Sequence, residues 1–294
     1  MSKKLASTSD LLPVLLIGPE HFITTDGRYG AVLECGGINM RIKSAEGADT
    51  VAGLFADLLL FLEPDVHLQL VVDSSPLHAE QWVGEYLDQF NPPPGLEGYV
   101  ERTGQWLRRE LEGRSVTRLR YLAVVTIPGP SKPRLPTVAR RAFRRQRALA
   151  REREEHAKTL ARLANVLSET STALAAMEIS VAPLSERELV ELLWRAANPN
   201  WSRDVAAPHG LASPDDARCL RDRLSQNRVV VRPDLIRLDG GYEATIALRA
   251  LPSVTYSGWL DRLAASRLRF RAAIHIDSLD TTKERAALEG AHTR

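Results

Sequence analysis

Cysteine is almost missing from this chain: two occur among 294 residues, Cys35 and Cys219, far apart and in no CxxC pattern. That argues against a thiolate zinc site and a disulfide framework, and suits two isolated thiols in a reducing compartment. An excess of charge of either sign is missing too. The formal net charge is +2, so attraction to a polyanion would have to come from a local cluster. Long apolar runs are absent. The most apolar one, Leu54–Leu62, contains Asp57, stops at Glu63-Pro64, and has under half of the roughly 20 residues a membrane helix needs. The apolar stretch Leu11–Ile17 holds Pro13, leads into Gly18-Pro19 and lacks a small-residue cleavage site, which makes a poor signal peptide.

Catalytic signatures are missing as well. No GxGxxG occurs. The nearest approach to a phosphate loop, Gly129-Pro130-Ser131-Lys132, has prolines where backbone N–H groups would have to cradle phosphate. No Ser or Cys sits in a nucleophile elbow. The seven histidines are scattered, none with metal-ligand spacing on a helix, and His67 and His275 fall within strands at the core edge or facing solvent. Asp215-Asp216 sits at a helix start, where the dipole alone explains it. No residue set points to a catalytic centre, a cofactor or a metal.

What is present is an ordinary globular balance, 44% hydrophobic and 26% charged, enough for a core. Residues up to about Asp26 read as a loose leading segment, closed by the turn signal Asp26-Gly27. Tyr29–Cys35 is a strand ended by Gly36-Gly37. Ala45–Leu62 is a helix stopped by Pro64. Val66–Val72 alternates as a strand. Helices follow near Ala79–Phe90 and Leu96–Leu111, then a strand at Leu119–Ile127. Four prolines between Pro128 and Pro136 rule out regular structure there.

Beyond them a helix runs from about Val138 to Ala176 without Gly or Pro. Leu160, Leu163, Leu167, Thr170, Leu174 and Met177 form a seam along it. Ile179–Ala182 is a strand. Ser185 and Glu188 make a capping box for the helix Glu186–Ala197, closed by Asn198-Pro199-Asn200. Ser213-Pro214 opens a short helix. Val229–Leu238 and Tyr242–Leu251 make a hairpin through Asp239-Gly240-Gly241, with Pro233 at an edge or bulge, and the long helix's seam is expected to pack near it. A helix at Ser257–Ala265, a strand at Leu268–Ile276 and a second capping box at Thr281 and Glu284 complete the order. The expected fold is α+β, with mixed or antiparallel sheets, packed helices and one long basic helix. The expected division is an N-terminal α+β subdomain over 1–130 and, over 131–294, the long helix with a second α+β subdomain.

One local signal is strong. Arg140, Arg141, Arg144, Arg145, Arg147, Arg151 and Arg153 crowd the start of the long helix, and Arg140, Arg144, Arg147 and Arg151 fall on one helical stripe. Such a stripe could contact nucleic-acid phosphates or anionic lipid, could meet a protein partner, or could be a solvated face paired with Glu152, Glu154 and Glu155. Phe143 is the sole aromatic among these arginines, so base stacking is unsupported.

Phe22-Ile23-Thr24-Thr25-Asp26-Gly27 followed by Tyr29–Gly37 resembles the opening of the large conjugative-transfer ATPases of type IV secretion systems. Glu186–Asn200 resembles their mid-domain helix ending in Asn-Pro, and Tyr242–Trp259 the end of the same N-terminal domain. The resemblance covers that domain and not the family's RecA-like motor, so no catalytic residue carries over. It implies a non-catalytic scaffold at the cytoplasmic face of the membrane, working within an oligomeric complex beside a separately encoded motor ATPase and other secretion subunits. Without the resemblance, a stand-alone nucleic-acid-binding accessory protein using the arginine stripe is the other reading, with DNA or anionic lipid as its partner.

Overall fold

The computed structural model describes residues 12–38, 43–76, 79–89, 92–112, 117–130, 141–198, 224, 229–231, 235–238, 241–244, 246 and 269–278, with backbone alone along 141–152 and at some other positions inside elements. In chain order the elements are β1 (Val14–Ile17), β2 (Phe22–Thr24), β3 (Tyr29–Cys35), α1 (Ala45–Phe61), β4 (His67–Pro76), α2 (Ala79–Leu87), α3 (Glu97–Glu112), β5 (Thr117–Ile127), α4 (Arg141–Ala176), β6 (Val181–Pro183), α5 (Glu186–Ala197), β7 (Val229–Val231), β8 (Ile236–Leu238), β9 (Gly241–Glu243) and β10 (Phe270–Asp277). The fold is α+β, as the sequence predicts, and each described strand pair is antiparallel.

The main sheet has the order β1-β2-β3-β5-β4-β10, with β6 also against β3. Its strands come from both sides of residue 130. β6 follows the long helix, and β10, near the end of the chain, pairs along eight positions of β4. Alternation sorts the side chains of the sheet. Tyr29, Ala31 and Leu33 of β3, with Ala123, Val125 and Ile127 of β5, form a core with Leu58 of α1, Leu62 just after it, and Leu163, Val166 and Leu174 of α4. Val32, Val71 and Leu122 face the other way and pack with Leu189, Val190, Leu192 and Trp194 of α5. Because β3 is covered on both sides, it reads as a nearly continuous apolar run.

The helix ends follow local chemistry. The Ser44 hydroxyl accepts from the Gly47 N–H and caps α1. The Ser185 and Glu188 capping box on α5 is formed as expected. Helix α4 stops without glycine: Glu178 takes a positive φ of 65°, the Ile179 N–H donates to the Leu174 carbonyl, and the Glu178 N–H donates to the Ala175 carbonyl. This is a Schellman ending, with Ile179 and Leu174 in one core. The Asp26-Gly27 turn places Gly27 at φ 87°, and a Cβ on Gly129 would lie 2.0 Å from the Gly27 carbonyl oxygen. The chain leaving β5 can pass that turn only as glycine.

Three expectations need correction. The leading segment is not loose: β1 and β2 pair, and Val14, Ile17 and Phe22 are buried against α5, because the apolar run has a helix to pack on. The stretch Val229–Leu238 is two strands. β7 and β8 pair with each other, and Pro233, expected at an edge or bulge, lies outside the described residues. Of the expected Asp239-Gly240-Gly241 connection, Gly241 already belongs to β9, where it pairs with Leu238 of β8, and the other two residues lie outside the described ones. Finally, among the described residues the seam of α4 packs on β3, β5 and α1, and not on β7, β8 or β9. Its buried residues are Leu163, Val166, Thr170, Leu174 and Met177, with Leu167 on the flank. The helices expected at Ser213, Ser257–Ala265 and Thr281 lie outside the described residues.

An ion pair ties β3 to β5 on the α5 side. The Arg120 guanidinium donates from Nε to Glu34 Oε1 at 2.9 Å and from a terminal nitrogen to Oε2 at 2.8 Å. This two-point contact, with a lesser pull from the nearby Arg118, holds the Glu34 carboxyl below the usual carboxylate range, although burial pushes it up. A carboxyl depressed in the folded state binds its proton more readily once unfolded. The pair therefore stabilises the fold above the ordinary glutamate range, and that contribution fades as pH falls below about 4.3. Glu34→Gln is expected to flatten part of the loss of stability on acidification, measured by denaturant midpoints from pH 6 to 3. Asp26, Asp65 and Glu188, also depressed, still contribute to the slope.

Candidate functional site

The last turn of α1 carries more apolar surface than the core takes. Leu58 and Leu62 point inward, while Leu60 and Phe61 are 82% and 83% exposed. The run Leu54–Leu62 is apolar nearly all round the helix, which ordinarily marks burial on every side. Beside it a groove of about 520 Å³ lies between α1 and α4, lined by Leu58, Phe61, Leu62, Val66, Val166 and Ala173, with Glu63 and Glu169 at its polar edge. Thr170, also lining it, gives its hydroxyl to the Val166 carbonyl at 2.8 Å, so the groove wall holds no stray donor there. An apolar groove next to exposed leucine and phenylalanine, rimmed by carboxylates, suits an apolar protein segment flanked by basic residues.

One end of the groove is stiffened by charge. Arg162 of α4 donates to Asp65 Oδ1 and Oδ2 at 2.7 and 2.9 Å and also pairs with Glu63. Hydrogen bonding from Arg162 keeps the Asp65 carboxyl low. Arg28 reaches the same loop through the Asp65 carbonyl at 3.1 Å. Further along α4, His156 Nδ1 lies 2.7 Å from the Tyr29 hydroxyl.

Of the arginines singled out in the sequence, Arg140 lies outside the described residues. Arg141, Arg144, Arg145, Arg147 and Arg151 fall in the first three turns of α4, whose 36 residues span about 54 Å. The helical backbone puts Arg144, Arg147 and Arg151 on one side; their side chains lie outside the described ones. The groove is at the opposite end of the same helix. Sequence reasoning missed the groove, although the all-round apolar run Leu54–Leu62 was the available signal.

Elsewhere the chemistry is quiet. Burial pushes the Cys35 thiol up to about 11, so it is not a thiolate nucleophile at neutral pH. Cys219 lies outside the described residues. Among those described, no set of three or more His, Cys, Asp or Glu is placed to hold a metal ion, and no helix is long and apolar enough to cross a membrane.

Residues 18–199 match the family described as the archaeal TraC-like domain. No curated protein matches the chain.

Proposed function

The chain belongs to the archaeal TraC-like family, matched over more than half its length, and from that membership we propose that it is a non-catalytic assembly subunit of a conjugative DNA-transfer machine. In this reading it docks a separately encoded motor ATPase at the cytoplasmic face of the membrane, within an oligomeric complex. The family assignment is consistent with an accessory part in conjugation. The observation that carries the docking reading is the exposed end of α1, with Leu60 and Phe61 standing beside an acid-rimmed apolar groove. The occupant that fits is a segment of the motor with one or two large apolar residues between lysines or arginines.

The test is binding between the purified full chain and a motor ATPase of the same transfer machine. Leu60→Ser with Phe61→Ser should weaken the complex at least tenfold while leaving the unfolding midpoint nearly unchanged, because both side chains are already in water. Unchanged affinity would remove the groove from the interface. If the chain alone binds DNA in a salt-dependent way that Arg144→Gln and Arg147→Gln abolish, the nucleic-acid accessory reading replaces this one.

A further inference from the structure

β4 and β10 bring together two histidines 208 positions apart in the chain. His67 stands opposite Asp277 and Gln69 opposite His275, so alternation puts all four on one face of the sheet. Their side chains form a continuous row. His67 Nδ1 lies 2.5 Å from Asp277 Oδ1, His67 Nε2 lies 3.3 Å from His275 Nδ1, and His275 Nε2 lies 3.1 Å from Gln69 Nε2. The two rings sit 5.4 Å apart, tilted by 33°. With both rings neutral, one proton arrangement satisfies every contact. His67 donates from Nδ1 to the carboxylate, its bare Nε2 accepts from His275 Nδ1–H, and the bare His275 Nε2 accepts from the Gln69 amide.

We propose that His67 and His275 form a two-imidazole chelate for a divalent transition-metal ion of the zinc class, joining β10 to β4. Zinc binds imidazole nitrogen at about 2.0–2.1 Å and prefers tetrahedral angles, which sets two ligating nitrogens roughly 3.3–3.4 Å apart. The His67 Nε2 to His275 Nδ1 distance already has that value. Turning each lone pair off the line between the nitrogens, by roughly 35° from the same bond lengths, aims both at one ion. His275 is exposed and His67 half-buried, so the adjustment falls mainly to the His275 ring.

The surroundings match what metal-bound histidine usually has. The far nitrogen of His67 donates to a carboxylate, the arrangement that fixes the tautomer and raises ligand basicity. His275 would move its proton from Nδ1 to Nε2 and donate it to Gln69 Oε1 after the amide turns over, so no net proton is released. Asp277 and Gln69 are positioning residues, each held at its station by strand register. The two remaining coordination positions face solvent and take water, in keeping with the absence of a larger His, Cys, Asp or Glu set among the described residues. Imidazole pairs suit zinc, nickel and copper, and exclude calcium and magnesium, which take oxygen.

The experiment titrates tag-free full chain with Zn²⁺ at neutral pH by calorimetry, beside His67→Ala, His275→Ala, the double variant and Asp277→Asn. The remaining histidines, His21, His78, His156, His209 and His292, are common to all five proteins, so any zinc they take cancels in the comparison. The expected result is one site in the wild type that is absent from the double variant and at least tenfold weaker in each single alanine variant. In Asp277→Asn the stoichiometry should stay at one while affinity falls about tenfold. Zinc should also raise the thermal midpoint of the wild type and not of the double variant, since an ion held only by the folded state stabilises it. The alanine variants remove an exposed side chain at His275 and a half-buried one at His67, and circular dichroism checks that they fold. Zinc isotherms that superimpose for wild type and double variant overturn the proposal and leave the row as a hydrogen-bonded strand pairing.

Discussion

Trp194→Ala will lower the stability of the chain by about 3–5 kcal/mol, the range seen when a buried large aromatic is truncated. Trp194 is 1% exposed and sits in the core between α5 and the sheet, with Leu189, Leu192, Val32, Val71 and Leu122. That core also buries Val14 and Ile17 of β1, Phe22 of β2 and Leu224. The indole therefore joins the leading strands, the sheet and a residue from beyond α5. Near it, Asn198 donates from its amide to the Trp194 carbonyl at 2.9 Å and to the Leu224 carbonyl at 2.5 Å. Truncation would leave a cavity walled by strands that cannot collapse together. A paired variant separates shape from hydrogen bonding. The Trp194 Nε1–H is buried with no partner among the described residues, so Trp194→Phe forfeits no such bond and should cost less than about half as much as alanine. Denaturant midpoints measure both. A phenylalanine variant as unstable as the alanine one would mean that the N–H has a partner. Domains are ordinarily stable by only about 5–15 kcal/mol, so the alanine variant should accumulate poorly as well.

Trp194 also shows how much of the fold was legible in advance. Its helix was readable to the residue, because Ser185 and Glu188 spell a capping box and Asn198-Pro199 a stop, and both are short-range chemistry. β3 was readable for the same reason: seven residues, apolar nearly throughout, between a turn and two glycines. What failed was anything settled by partners distant in sequence. Val14–Ile17 looks like a loose approach until α5, about 170 positions later, supplies a surface for it. The end of α4 at Ala176, by contrast, was readable although no glycine marks it: Glu178 adopts the left-handed conformation itself, with Lys43 2.7 Å from its carboxylate. Val229–Leu238 reads as one strand, yet its two ends pair with each other as β7 and β8. The same limit applies to sites. The arginine block is contiguous and was visible at once. The groove joins α1 to α4, and the histidine row joins β4 to β10; no window of sequence contains either. The groove alone left a trace, in an apolar run wider than one buried stripe requires.

Leu163→Ala should cost about 2–5 kcal/mol, whereas Leu167→Ala should cost less than about half of that, although the two leucines look equivalent on the heptad-like spacing of the sequence. The difference comes from the rotation of α4 on the sheet. Leu163 is 2% exposed, and the buried line continues through Val166, Thr170, Leu174 and Met177, at steps of three and four. That line passes one residue short of Leu167, which lies on the flank of the core and keeps part of its surface in water. Removing Leu163 would open a void against β3 and β5, where Ala31, Ala123 and Val125 are fully enclosed and have little room to relax. The consequence reaches function, because one helix serves two ends. Val166, Thr170 and Ala173, one to three turns after Leu163, form a wall of the proposed docking groove, and the arginine block lies on the turns before it. Under the docking reading, Leu163→Ala should therefore weaken motor binding in step with its loss of stability, while Leu60→Ser with Phe61→Ser weakens binding with stability intact. Measuring both variants by unfolding and by affinity separates a groove that must be held in shape from one that need only be apolar. If Leu163→Ala binds as well as the wild type despite a lower midpoint, the contact rests on the exposed α1 residues alone.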